Sequence, residues 1–139
     1  MTADATGFII FGSQMNKPFI FLLMIFLHII DDFCLQGWMA SAKQKDWWKE
    51  NAPQELYKYD WLCALIMHSL SWAFMIMLPI ALAQGFCIDG AFVRLFILNS
   101  MWHAWMDHKK ANAKVANLWI DQVFHISQIA TTFYVMLCR

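Results

Sequence analysis

Charged residues are scarce in this chain. They make up 14% of its 139 residues, whereas a soluble domain carries about 25%. The formal net charge is zero, so no basic surface points to nucleic acid as a partner. The four cysteines, Cys34, Cys63, Cys87 and Cys138, form no CxxC pair. Their scatter excludes a zinc ribbon, a redox pair and a disulfide framework, and they read as small buried hydrophobes. The N-terminus lacks the basic region of a cleavable signal peptide. No internal repeat and no low-complexity tract is visible.

What is abundant is apolar. Hydrophobic residues reach 60% and the mean hydropathy is +0.46. A soluble domain has about 45–50%. The composition implies an integral membrane protein, with a very apolar soluble helical bundle as its rival. Four apolar segments stand out, at about 18–38, 61–88, 91–107 and 115–138. A membrane helix needs about 20 residues. The expected fold is therefore all-α, a single polytopic domain of four transmembrane helices. The third segment is the weakest, with Arg94 near its start. The first 17 residues hold a short apolar patch, expected as a lead-in at the interface. The segment 41–60 mixes charges with Trp47, Trp48, Tyr57 and Tyr59. It reads as an amphipathic stretch lying on the membrane and broken near Pro53.

Lysine and arginine set the expected orientation. Lys43, Lys45, Lys49, Lys58, Lys109, Lys110 and Lys114 fall in the two long loops, whereas the other side holds Lys17, Arg94 and Arg139. That imbalance places both loops in the cytoplasm of a bacterial inner membrane, with both termini outside. Membrane lipid is the expected partner, and a homo-oligomer is common at this size.

Against this apolar background, ionisable residues inside the segments are costly. Four of the five histidines lie there, one per segment: His28, His68, His103 and His125. Three have an aspartate four residues away, as His28–Asp32, His103–Asp107 and Asp121–His125. A four-residue step returns a helix to the same face. The alternating topology puts all seven groups in one slab, in the cytoplasmic half. No lysine or arginine lies within the segments at that depth to neutralise the three aspartates. A divalent cation would do so, with imidazole and carboxylate as its standard ligands. Zinc is the first expectation and manganese or iron the alternatives. Seven ligands exceed one tetrahedral shell, so one or two ions are both open. Gln36, Asn99, Gln122 and Gln128 lie on or beside the same helical stripes and are candidates for orienting ligands by hydrogen bonds; for Gln36, Asn99 and Gln128, interhelical hydrogen bonding alone is the simpler reading. Asp31 is an extra acid beside Asp32 and a candidate catalytic base, as is any aspartate not bound to metal. Ser69, Ser71, Thr131 and Thr132 read as packing residues.

The order His28-x-x-x-Asp32-Phe33-x-Leu35-Gln36, His68, His103-x-x-x-Asp107, Asp121-Gln122-x-x-His125 resembles a family of small polytopic bacterial and phage membrane proteins of unknown function. The resemblance covers nearly all of the chain beyond residue 18. It implies the membrane fold and the motif positions, and supplies no reaction. Asp31 and the long Trp-rich first loop depart from the pattern. A more distant analogy links helix-borne His and Asp to membrane-bound metal-dependent hydrolases. Three functions follow. The first is a metal-dependent hydrolase acting on a lipid or lipid-linked substrate. The second is a non-enzymatic phage or bacterial membrane protein with a structural metal that modifies the host envelope or binds a partner. The third is an ion or proton conduit.

Overall fold

A computed structural model describes residues 16–138. The lead-in expected over the first 17 residues falls almost wholly outside that range, as does Arg139. The described residues are helical, with no strand. Helix α1 (Lys17–Ile29) runs on into a π-helical segment (Ile30–Leu35). Two short helices follow, α2 (Met39–Ala42) and α3 (Lys45–Asn51), then a 3-10 turn (Glu55–Tyr57). The remaining long helices are α4 (Asp60–Ala83), α5 (Gly90–Ala111) and α6 (Leu118–Phe133), the last extended by a π-helical turn (Tyr134–Cys138).

Local chemistry sets these boundaries. Asn16, Asp89 and Asn117 each accept a hydrogen bond from a backbone N–H three residues on, capping α1, α5 and α6. Helix α3 stops at Asn51, two residues before Pro53, which disfavours helical backbone in the residue preceding it. Helix α4 ends where Gly85 adopts φ +62°. Phe86 N–H then donates to Ala81 O at 2.7 Å and Gly85 N–H to Leu82 O at 3.2 Å, a Schellman closure that leads directly into α5.

The four long helices run up-down-up-down and close a ring in which α1 packs on α4, α4 on α5, α5 on α6 and α6 back on α1. One half of the ring interior is apolar. Ile20, Met24, Ile76, Met77, Ile80 and Ile129 are buried there, with Phe21 against Phe133 at 5.1 Å between ring centroids. The other half holds the histidines and aspartates. The two long loops meet beyond that polar half. Asn112 joins them, accepting from Lys45 N–H at 2.7 Å and donating to Lys43 O at 3.0 Å.

The outward faces of all four helices are apolar. Phe19, Leu22 and Phe26 of α1, Ile66 and Phe74 of α4, Ile97 and Trp102 of α5, and Trp119 and Val123 of α6 are all exposed. Two helical runs are long and apolar enough to cross a membrane: 17–35, and 55–83 with its lead-in turn. The expected third and fourth spans do not reach that standard. The reason lies in the site: Arg94, Asn99, His103 and Asp107 dilute α5, and Asp121, Gln122, His125 and Gln128 dilute α6. One expectation is overturned outright. All four cysteines are exposed rather than buried, because their helical and turn positions face outward among other apolar side chains.

Candidate metal centre

His28, His68, His103 and His125 are all buried, as are Asp31, Asp107 and Asp121, and Asp32 is nearly so. The ring closure brings all eight into the polar half. The two nitrogens His68 Nε2 and His103 Nε2 stand 3.1 Å apart. Asp32 Oδ1 lies 3.4 Å from the first and 3.9 Å from the second. Asp107 Oδ2 lies 3.4 Å and 3.7 Å from the same pair. These atoms form two triangles on a shared His68–His103 edge. A tetrahedral zinc with bonds near 2.0–2.1 Å has ligand-to-ligand edges of about 3.3–3.4 Å. The observed separations bracket that value.

Asp107 also faces the other way. Its Oδ1 lies 3.8 Å from His125 Nε2, which is 3.2 Å from Asp121 Oδ1. Two groupings can therefore each hold an ion: Asp32 with His68 and His103, and His103 with Asp107 and His125. His103 belongs to both, and Asp107 of the second comes within 3.4 Å of His68 of the first.

Several of these atoms have no hydrogen-bond partner. Asp32 Oδ1, Asp121 Oδ1 and both ring nitrogens of His125 are buried and unpaired. Leaving such groups unpaired costs about 1–3 kcal/mol each, and more for a charged one. Asp32 Oδ1 meets the His68 and His103 nitrogens and Asp121 Oδ1 meets His125 Nε2 at 3.2 Å, separations that suit a coordination shell, whereas His125 Nδ1 is on the other side of its ring. The residues present thus fit a divalent cation.

Charge leads to the same place, with a correction to the sequence reading. Two lysines do reach the aspartates. Lys43 Nζ donates to Asp107 Oδ2 at 2.5 Å and Lys110 Nζ to Asp121 Oδ2 at 2.6 Å. Both lysines come from the loop side and swing their ammonium groups inward. Lys43 is itself buried. Linear position assigned them to water, whereas α2 folds back over the bundle and brings Lys43 above the site. Four carboxylates against two ammonium groups leave two negative charges when the imidazoles are neutral. One divalent ion would offset them.

His28 stands apart from both groupings. Trp72 Nε1–H donates to its Nδ1 at 2.8 Å, and its Nε2–H donates to Gln122 Oε1 at 3.0 Å. Indole nitrogen can only donate and an amide oxygen can only accept, which assigns the tautomer. Both ring nitrogens are thereby occupied. Gln122 continues the chain by donating to Asp121 Oδ2 at 3.2 Å. His28 thus orients Asp121 through Gln122.

Asp31 lies behind His68. Ser71 Oγ–H donates to Asp31 Oδ1 at 2.7 Å, while Asp31 Oδ2 is 3.7 Å from His68 Nδ1. Gln36 Nε2 lies 2.8 Å from His68 Nε2, a contact that an ion bound at that nitrogen would displace; with Nε2 as the acceptor or ligand, the ring proton sits on Nδ1, facing Asp31. The π-helical segment explains how adjacent acids both turn inward. Its wider turn reduces the angle between successive side chains, and such segments recur at functional sites.

Asn99 and Gln128 lie elsewhere. Gln128 donates to Asn99 Oδ1 at 2.9 Å, and Asn99 donates to Thr132 Oγ1 at 2.9 Å. They clamp α5 to α6 without touching the histidines. Among the expected packing residues, Ser69 and Thr131 bond only to their own helix backbone, whereas Ser71 anchors Asp31. Trp72 is a site residue hidden in an apolar run. It is fully buried and stacks on His103 at 4.3 Å, and His103 stacks on His125 at 4.3 Å.

Comparison with family models, with curated proteins and with solved structures finds no match to this chain.

Proposed function

We propose that the chain crosses a bacterial inner membrane four times, with both long loops cytoplasmic, and that its polar half is a divalent-metal centre, zinc first, that hydrolyses an ester or phosphoryl bond of a lipid or lipid-linked substrate. The membrane reading is supported by the inverted distribution of polarity. Apolar side chains coat the outside of all four helices while buried His and Asp occupy one half of the inside. Monomeric soluble proteins rarely expose contiguous apolar patches beyond a few hundred Å². The likeness to small polytopic bacterial and phage proteins agrees with it.

The observation that carries the metal reading is the set of unpaired buried atoms on Asp32, Asp121 and His125. His68, His103, Asp32, Asp107 and His125 would hold the metal, with Asp121 at the edge. When bound, a divalent ion supplies Lewis acidity and lowers the pKa of water towards about 7. The chain's own residues do the rest. His28 and Gln122 hold Asp121 in place, Asp31 and Ser71 hold His68, and Lys43 and Lys110 balance the carboxylates. Asp31 is better suited to fixing His68 than to acting directly as a base, because His68 stands between it and the cluster. The test is to purify the full chain in detergent, measure metal, and assay lipid and phosphate-ester turnover with and without chelator. Turnover that chelation abolishes and zinc restores supports the reading. A metal-bound protein silent on a broad panel counts against hydrolysis.

A structural metal is the second reading, in a phage or bacterial protein acting on the host envelope. It is favoured by α5, which is too polar to count as a span unaided and contributes His103 and Asp107. His103→Ala should unfold the protein if the metal is a staple, and leave it folded but inactive if it is catalytic. A conduit is disfavoured by the apolar half of the bundle, where Met24, Ile76, Ile80 and Ile129 are fully buried.

A further inference from the structure

The metal centre does not end at a closed wall. A cavity of about 330 Å³ lies on its loop side, lined by Gln36, Lys43, Gln44, Asp107, Lys110 and Lys114 among others. Two of those residues belong to the centre itself: Asp107, which reaches His68 on one side and His125 on the other, and Gln36 through its contact with His68. The lining itself holds three ammonium groups and one carboxylate; the partners of Lys110 and Lys114, Asp121 and Asp46, stand outside it. The lysines come from two separate parts of the chain, Lys43 just after α2 and Lys110 and Lys114 at and beyond the end of α5, brought together by Asn112.

Each lysine has one carboxylate partner among the described residues: Lys43 with Asp107, Lys110 with Asp121 and Lys114 with Asp46 at 3.0 Å. An ammonium has three N–H donors. Each therefore keeps donors beyond its carboxylate. The amides of Gln36 and Gln44 add two more groups to the same wall. Clustered ammonium and amide donors around a cavity of this size match a tetrahedral oxyanion with several acceptor oxygens. They do not match a neutral ester, which offers no charge, or a cation, which they would repel.

We infer that this cavity is a phosphate site that presents a phosphoryl group to the metal centre, so that the substrate is an anionic phosphate ester rather than a neutral acyl ester. The inference rests on the metal-centre reading for the floor of the site. Lys110 and Lys114 bind the phosphoryl oxygens from the rim, and Lys43 links the anion to Asp107.

The test is calorimetric titration of inorganic phosphate into the purified full-length protein, zinc-loaded and chelator-treated, with zinc content measured on each sample. Lys110→Gln and Lys114→Gln should each weaken phosphate binding about tenfold, as expected for losing one charge-assisted contact. Lys49→Gln removes the same charge from the other partner of Asp46, outside the cavity, and should change nothing. A wild-type protein that does not bind phosphate overturns the inference, as does equal binding by all three variants. Protein that takes up no zinc on loading yet binds phosphate through Lys110 and Lys114 removes the metal-hydrolase reading and leaves the anion site standing. Zinc-loaded protein without phosphate binding does the reverse. Repeating the titration in phosphatidylcholine vesicles with and without phosphatidate separates the sources. Loss of the phosphate signal on adding phosphatidate assigns the site to a lipid head group, and an unchanged signal assigns it to a free phosphate ester.

Discussion

The two halves of the same four-helix ring obey different rules. In the apolar half, Ile20, Met24, Ile76, Met77, Ile80 and Ile129 are buried and need nothing beyond one another. In the polar half, close-packed side chains leave hydrogen-bonding atoms of Asp31, Asp32, Asp121, His103 and His125 buried without partners. Every long helix passes through both halves, so backbone and packing are shared and only the side-chain chemistry differs. The contrast teaches that the second half is organised around something besides packing. His28 and His125 show it at the level of one residue. Their rings are 5.6 Å apart, yet one has both nitrogens hydrogen-bonded, while the other meets carboxylates only at Nε2, at 3.2 and 3.8 Å and without hydrogen-bond geometry. A sequence of generic polar contacts between helices would not divide so sharply.

Trp72 is the hinge of the comparison, since it belongs to the apolar cluster and touches three of the histidines. The largest expected effect is therefore Trp72→Ala. It opens a cavity and releases the imidazole column, costing about 3–5 kcal/mol of stability, the range for aromatic truncation in a core. Chemical denaturation in detergent would measure it. Trp72→Phe keeps a ring but leaves His28 Nδ1 unpaired, and should cost less, about 1–3 kcal/mol.

Next is Asp107→Asn. It removes the carboxylate of the His103–His125 grouping, which also lies 3.4 Å from His68, and leaves Lys43 buried without its partner. Metal affinity should fall beyond the roughly 10–100-fold typical of losing an outer hydrogen-bonding partner. Asp31→Asn tests that outer role directly. It should lower metal affinity by about 10–100-fold while the protein still folds and binds. Competition with a chromogenic chelator reads both. If Asp31→Asn abolished binding as completely as Asp107→Asn, Asp31 would have to be a ligand itself.

The smallest effect belongs to the loop surface. Lys114 and then Lys49 hydrogen-bond Asp46 and hold its carboxyl below the ordinary carboxylate range. A lowered value means the contribution is present above the unfolded pKa, about 4, and is lost as pH falls through the folded one. Asp46 is fully exposed, so water and salt screen it. Asp46→Asn should leave the melting temperature at neutral pH nearly unchanged. A large drop would show that the loop clasp, and not only the helical ring, holds the polar half together.

Much of this was legible in the sequence. The four-residue steps from His28 to Asp32, His103 to Asp107 and Asp121 to His125 place pairs on one helix face, and alternating helices set them at one depth. What was hidden depends on features that no linear pattern carries. Lys43 and Lys110 sit in segments that read as solvated loops, and only the fold-back of α2 and the reach of a long side chain bring them to the aspartates. Asp31 required the π-helical turn to face inward beside Asp32. Trp72 looked like any aromatic in an apolar run. Asn99 and Gln128 lie about one turn too far along their helices and pair with each other and Thr132. The expected division of roles among seven equivalent ligands also changes, because His28 is engaged on both sides.

The central claim is that the polar half is arranged around a divalent ion. Its most direct test is metal analysis by mass spectrometry of the full-length protein, purified in detergent from zinc-replete cells, beside Asp107→Asn. One or two zinc ions per chain, one for each ligand grouping, are expected in the wild type and a marked loss in the variant. A folded wild-type protein that carries no stoichiometric metal, and takes up none on titration with zinc, manganese or iron, would contradict it.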